Sequence, residues 1–266
     1  MSTSLDLQLI TVGTADGVAI VTLGRPEKYN ALNSAMIDQL HRVLDDIAEN
    51  SSIRAIVLTG SGKAFAAGAD IAQYEQATAA EFADFTTRCN TLCSRIAAVG
   101  KPVIAAVNGI ALGGGFELAL ACDFIVAADT ASLGLPEISL GLLPGWGGTQ
   151  RLTAHLGASR AKALIMTAGR LTAAEARDAG IVLEVHPAGK ELERAREIAA
   201  DIAGRAPLAI AAIKRAVDYA DGAVAGNTGP GFTLEQSLLR ELFATDDGKE
   251  GILAFVEKRA PRFTGR

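Results

Sequence analysis

The period of the apolar residues changes along the chain, and each change marks an element. Val18 to Leu23 is a run of apolar and β-branched residues, and Leu7 to Val12 is similar. Thr14-Ala15-Asp16-Gly17 between them is a hairpin turn signal, so the two segments are expected to be paired strands. From Ser34 to Glu49, Ile37, Leu40, Leu44 and Ile47 recur on one face of a helix. Short apolar runs at Arg54 to Thr59, Val103 to Val107, Asp123 to Ala127 and Ile181 to Val185 predict buried strands. Ala79 to Ala98, about Gly114 to Ala121, and Ser159 to Thr167 predict helices between them. Thr172-Ala173-Ala174-Glu175 matches a capping box and starts a further short helix.

From Glu191 onward the pattern predicts helices only: Glu191 to Ala203, Pro207 to Tyr219, Thr233 to Phe243 and Lys249 to Lys258. Gly222 to Gly231, rich in glycine, predicts a loop between the second and third of these. Alternating strands and helices followed by helices alone indicate an α/β protein with a helical C-terminal part.

Composition narrows the function. A chain of 266 residues, 49% hydrophobic, is long enough to build a core without covalent staples. A net charge of -5, with no basic block, lacks the footprint of a nucleic-acid binder. Cys89, Cys93 and Cys122 are too few and odd in number for a disulfide framework, which points to a reducing compartment. Cys89 and Cys93 lie one helical turn apart, but a zinc site needs about four ligands and no histidine is near, so core packing is expected and no metal. The N-terminus lacks a signal or transit pattern, and no run approaches the roughly 18 apolar residues of a membrane span. A cytoplasmic protein without membrane partners is expected.

Three glycine-containing loops follow apolar strands. The first is Phe65-Ala66-Ala67-Gly68-Ala69-Asp70, whose small residues let a ligand approach the main chain. The second, Asn108 to Leu118, runs three glycines into a helix start, where first-turn N–H groups lack helical partners and suit a developing oxyanion. Glu117 follows Gly114 by three residues and so falls near the same helix face. The segment is neither a Walker loop, lacking Gly-Lys-Ser/Thr, nor a dinucleotide fingerprint at a first strand-to-helix turn. The third is Leu135-Pro136-Glu137-Ile138, continued by Leu143-Pro144-Gly145-Trp146-Gly147-Gly148. Glu137 stands there among apolar residues, which raise a carboxyl pKa toward neutrality and suit proton transfer. Two glutamates beside one oxyanion site form a reaction design: one activates water while the other exchanges a proton with carbon. His41, His155 and His186 have no triad partner nearby in sequence.

At these segments the sequence resembles the enoyl-CoA hydratase/isomerase (crotonase) family. The likeness covers Arg25 to Leu32, Phe65 to Ile71, Ala105 to Asp123, Pro136 to Arg151, Phe243 to Asp247 and Phe255 to Arg259, in the family's order. The resemblance implies a crotonase-like spiral of β-β-α turns over residues 1–200 and a helical oligomerisation region over 201–266, giving trimers or dimers of trimers. It places the backbone N–H groups of Ala69 and Gly114 on the thioester oxygen of an acyl-CoA, the substrate. Glu117 then activates water for C3, Glu137 supplies the proton to C2, and Gly145 helps place the water. Ala67, Asp70 and Ile71 fall in the substrate loop. Lys258 matches a lysine that approaches CoA phosphates, often on a neighbouring subunit, and Arg25 is a further candidate for such a contact by charge.

Related isomerases and dehalogenases usually lose one acid, so keeping both favours hydration of a 2-enoyl-CoA to a 3-hydroxyacyl-CoA, a fatty-acid β-oxidation type of step without metal or redox cofactor. The alternatives are an isomerase, a thioester hydrolase, a ring-acting hydratase or a non-catalytic scaffold subunit. Ala72 stands where many hydratases carry a lysine that meets the nucleotide of CoA. Gln73, Tyr74 and Trp146 are candidate walls of the acyl pocket.

Overall fold

The computed structural model describes residues 7–75, 77–218 and 230–266. Strands β1 (Ile10–Ala15) and β2 (Val18–Leu23) form the expected antiparallel hairpin. Its turn residues Asp16 and Gly17 have φ of 52° and 77°, the left-handed pair that matches the twist of a two-residue hairpin. The turn fixes Ala15 opposite Val18, which moves β1 three residues later than the expected start at Leu7. Helix α1 (Ser34–Glu49) is capped by the Asn33 side chain, which accepts from the Met36 N–H, and buries the predicted face of Ile37, Leu40, Leu44 and Ile47.

Three β-β-α turns follow. The first comprises β3 (Ala55–Gly60), β4 (Ala64–Ala66), a single turn α2 (Ala72–Glu75) and α3 (Ala79–Ala98). The second comprises β5 (Val103–Val107), β6 (Ile110–Leu112) and α4 (Gly114–Leu120). The third comprises β7 (Phe124–Ala128), β8 (Ser132–Gly134), a 3-10 turn (Glu137–Leu140) and α5 (Gly148–Met166). The chain then adds β9 (Arg170–Thr172), α6 (Ala173–Asp178), β10 (Glu184–His186) and α7 (Glu191–Ala203). Each turn gives its first strand to a six-stranded sheet, ordered β1-β2-β3-β5-β7-β10, and its second to a four-stranded sheet, ordered β4-β6-β8-β9. Because β4, β6 and β8 run parallel and adjacent, the loops leaving their C-terminal ends lie side by side. That alignment brings the three glycine-containing segments together.

The six-stranded sheet is covered on one face by α7, where Ala195, Ala199 and Ala203 pack on Val18, Val57, Ile104 and Val126. The other face joins the main core with α1, α3 and the four-stranded sheet, and Cys89 and Cys93 are buried there as packing residues. Strands β3 and β5 are buried at every position, as their continuous apolar runs require.

Several elements differ from expectation. β4, β6, β8 and β9 are three residues each, too short to show a period; β4 and β6 fall in segments expected as loops, and β8 and β9 carry no expectation. The helix expected over 159–167 is the second half of α5, which begins at Gly148 and breaks at Gly157, where φ is 73°. The last strand of the sheet is Glu184–His186, not 181–185. The Thr172 capping box forms as predicted, with Thr172 and Glu175 exchanging side-chain and backbone hydrogen bonds. Helix α7 spans Glu191–Ala203, the bounds expected for it. It is followed by α8 (Pro207–Asp218), α9 (Pro230–Ala244) and α10 (Asp246–Glu257). Of the expected 222–231 loop, residues 222–229 lie outside the described residues, as does Tyr219. Pro230 and Gly231 open α9, a position that suits proline.

Candidate active site

The first donor is built by a parallel bridge between Leu32 and Ala69. The Leu32 N–H donates to the Gly68 carbonyl at 2.8 Å and the Asp70 N–H donates to the Leu32 carbonyl at 2.9 Å. Extended backbone alternates sides, so the Ala69 N–H between these bonds points away from Leu32. The second donor is the Gly114 N–H, first in α4 and therefore without a partner inside the helix. The two loops touch: a Cβ placed on Gly68 would lie 3.1 Å from the Leu112 carbonyl oxygen and 3.6 Å from the Gly114 nitrogen. Gly115 permits similar closeness, since a Cβ there would sit 2.0 Å from the Ala66 carbonyl oxygen. The sequence thus places two free amides side by side, one of them at the positive end of a helix.

Glu117 is on the first turn of α4 and only 1% exposed. Its Oε1 accepts two backbone hydrogen bonds, from the Trp146 N–H and the Gly148 N–H, each 2.7 Å. Gly147 between these donors has φ of 102°, which lets both N–H groups converge on one oxygen. Burial raises the Glu117 carboxyl to about 7, against the two amide bonds and the Arg151 charge, which lower it, while Glu137 raises it further. Glu137 begins the 3-10 turn after Pro136. Burial also pushes its carboxyl upward. Its Oε2 is buried and has no hydrogen-bond partner among the described residues. Gly113 makes room for it, because a Cβ there would lie 2.8 Å from Glu137 Oε1.

Both acids and both amides border one cavity of about 860 Å³. Gly145, Ala67 and Ile71 also line it, together with Tyr74 and Trp146. Its aromatic side is a chain of edge-to-face contacts: Tyr74 with Phe82 at 5.0 Å, Tyr74 with Phe85 at 5.9 Å, and Phe85 with Trp146 at 6.0 Å. Trp146 lies against Gly114 so closely that a Cβ on Gly114 would be 2.1 Å from its ring.

The remaining candidates are elsewhere. Arg25 is turned inward: its guanidinium donates to Asp70 Oδ2 at 3.0 Å and to the Ala31 carbonyl at 2.6 Å, with its side chain 13% exposed. Arg25 and Asp70 therefore brace the Ala69 loop. Gln73 faces away from the cavity, accepting from the Ser34 N–H. Lys258 is exposed at the end of α10, outside the cavity lining. His41 and His186 are held by Arg95 and Glu184, away from the two acids.

Sequence reasoning missed four contributors. Phe82 and Phe85 lie on a helix whose period signals only packing, and Arg151 appears only as the end of the Pro136 to Arg151 segment that carries the family likeness, with no role attached. Asn30 is wholly buried and bonds through its side chain to Arg25, Ser61 and Ala64. Its segment, Arg25-Pro26-Glu27-Lys28-Tyr29-Asn30, is largely polar and gives no local sign that this side chain is buried.

Against known proteins, the chain matches the enoyl-CoA hydratase/isomerase family over residues 13–266. It belongs to that family. A probable enoyl-CoA hydratase of Mycobacterium bovis is 45% identical over 260 residues, covering 97% of this chain and 99% of that one. A 2,3-dehydroadipyl-CoA hydratase of Escherichia coli is 42% identical over 258 residues, covering 97% and 99%. The crystal structure of an enoyl-CoA hydratase from Bacillus anthracis superposes with a TM-score of 0.92 at 39% identity, covering 97% of this chain and all of that one. The three β-β-α turns are thus the crotonase fold, that of a family of enzymes acting on acyl-CoA substrates. No helix among the described residues is long and apolar enough to cross a membrane.

Proposed function

We propose that the protein is a 2-enoyl-CoA hydratase that adds water across the double bond to give a 3-hydroxyacyl-CoA. The observation that carries this is the pairing of the buried Glu117 and the part-buried Glu137, both with raised carboxyl pKa, with the Ala69 and Gly114 amides around one cavity. The thioester carbonyl oxygen accepts from the Ala69 and Gly114 N–H groups, which stabilise the enolate formed in the reaction. Glu117, fixed through Oε1, uses its other oxygen as base on a water beside Gly145, and the water oxygen bonds to C3. Glu137 gives its proton to C2. Proton and water balance across these steps, so the chemistry calls for no electron transfer and no Lewis acid.

The reading extends to assembly. Helices α8 to α10 expose Ile213, Val217, Leu239, Phe243, Phe255 and Val256, the last two 85% and 71% exposed. Such a face suits burial between copies in a trimer or dimer of trimers. Lys258, off its own chain's cavity, would then serve the CoA phosphates of a neighbour. Three free cysteines fit the reducing cytoplasm.

Arg170 favours a second substrate class. It lines the same cavity without an ion-pair partner among the described residues, so an enoyl chain ending in a carboxylate would find a counter-charge there. The similar 2,3-dehydroadipyl-CoA hydratase carries such a substrate in its name. Loss of enoyl-thioester absorbance with crotonyl-CoA, set against a dicarboxylic enoyl-CoA, tests both. Turnover of crotonyl-CoA alone assigns the simple chain, a large preference for the dicarboxylic substrate assigns the second, and a shifted double bond without water gain would refute hydration.

A further inference from the structure

Glu117 depends on a loop that is itself held from behind. Trp146 and Gly148 can both donate to Oε1 only while the peptide planes around Gly147 keep their orientation. Arg151, one turn into α5, supplies the restraint. Its Nη1 donates to the Trp146 carbonyl at 2.9 Å, and its backbone N–H donates to the Gly147 carbonyl at 3.0 Å. The guanidinium lies directly on the loop, since a Cβ on Gly147 would be 2.2 Å from Nη1.

We propose that Arg151 is a positioning residue for the hydration step, holding the Trp146 carbonyl so that the Trp146 and Gly148 N–H groups stay aimed at one oxygen of Glu117. The inference rests on the paired-acid reading above. Trp146 O and Trp146 N–H belong to successive peptide planes, so a donor fixed on the carbonyl limits rotation of the next plane and of the amide that follows Gly147. Arg151 has no acidic ion-pair partner among the described residues, so its charge is not cancelled locally and favours the ionised Glu117. Glu137, from the 3-10 turn, opposes ionisation of Glu117, and Arg151 is the cation among the described residues that offsets it. Tyr74 from α2 and Cys89 and Cys93 from α3 also face Glu117, but burial and its charge push their own pKa up, so they stand beside it as neutral groups.

The test is the pH dependence of kcat in Arg151→Gln and Arg151→Lys, with Glu117→Gln alongside. In Arg151→Gln, kcat should fall about tenfold, KM should stay within about twofold, and the acid limb should move up by about one pH unit, as loss of a nearby opposite charge requires. Arg151→Lys keeps charge and donor, so its limb should stay in place while kcat falls severalfold, because one ammonium does not reproduce the guanidinium's fixed fork. An unmoved limb and unchanged kcat in Arg151→Gln would overturn the proposal. So would a Lys variant whose limb moves as far as the Gln variant's. If the Gln variant does not fold, a Lys variant unchanged in both respects overturns it. A Glu117→Gln variant at the parent rate would instead refute the paired-acid reading itself.

Discussion

At the scale of single residues, the site works by withholding partners. Glu137 Oε2 is buried without a hydrogen-bond partner among the described residues, although buried polar groups are nearly always satisfied. In the proposed reaction it faces C2, and the Ala69 and Gly114 N–H groups face the thioester oxygen. Glu117→Gln and Glu137→Gln should each cut hydration by about two to four powers of ten, read as kcat with crotonyl-CoA. The Glu117 variant carries a second, independent signature. Its folded pKa of about 7 lies above the ordinary carboxyl value, so the parent's stability is fully present below that ordinary value and declines as pH rises through 7. Glu117→Gln, which keeps an acceptor for both amides, should therefore be more stable than the parent at pH 8, by at most about 3 kcal/mol. The gain should vanish near pH 4; chemical denaturation at the two pH values reads it. Gly113→Ala should lose activity and about 1–3 kcal/mol of stability, because φ is 52° there and the methyl would meet Glu137 Oε1.

At the scale of elements, short strands do the positioning. β4, β6 and β8 set three loops abreast, and the Leu32–Ala69 bridge aims one amide into the cavity. Two residues before the bridge stands Asn30, whose buried side chain donates to the Ser61 and Ala64 carbonyls and accepts from the Arg25 N–H. Asn30→Ala leaves those groups unpaired, and should cost about 2–4 kcal/mol in denaturant unfolding while lowering kcat. The long helices and the buried strands were legible in the sequence because burial over many residues leaves a period. Gly114, Glu117 and Glu137 were legible as chemistry for a different reason: glycines before a helix start and an acid among apolar residues are unusual locally. The three-residue strands left no period. The aromatic chain from Tyr74 to Trp146 joins residues remote in sequence, and the Arg151 brace, local in itself, matters only because the tertiary fold brings its loop to Glu117. Arg25 reads in the sequence as a candidate contact to CoA phosphates by charge, and its pairing with Asp70, 45 residues away, is set only where the two loops meet.

At the scale of the whole molecule, the sheets and α7 form a closed core, whereas α8 to α10 carry large exposed apolar side chains. Sedimentation should give a mass three or six times the 27.5 kDa chain, and Phe255→Asp should shift it toward the monomer. A monomeric parent at working concentration would refute the assembly. The most direct test of the enzyme itself is the mass of the product formed from crotonyl-CoA in water labelled with heavy oxygen. A hydratase with paired acids gives a 3-hydroxyacyl-CoA carrying one heavy oxygen, and the Glu117→Gln variant gives almost none. Free CoA, an isomerised but unlabelled thioester, or equal labelling by the variant would contradict it.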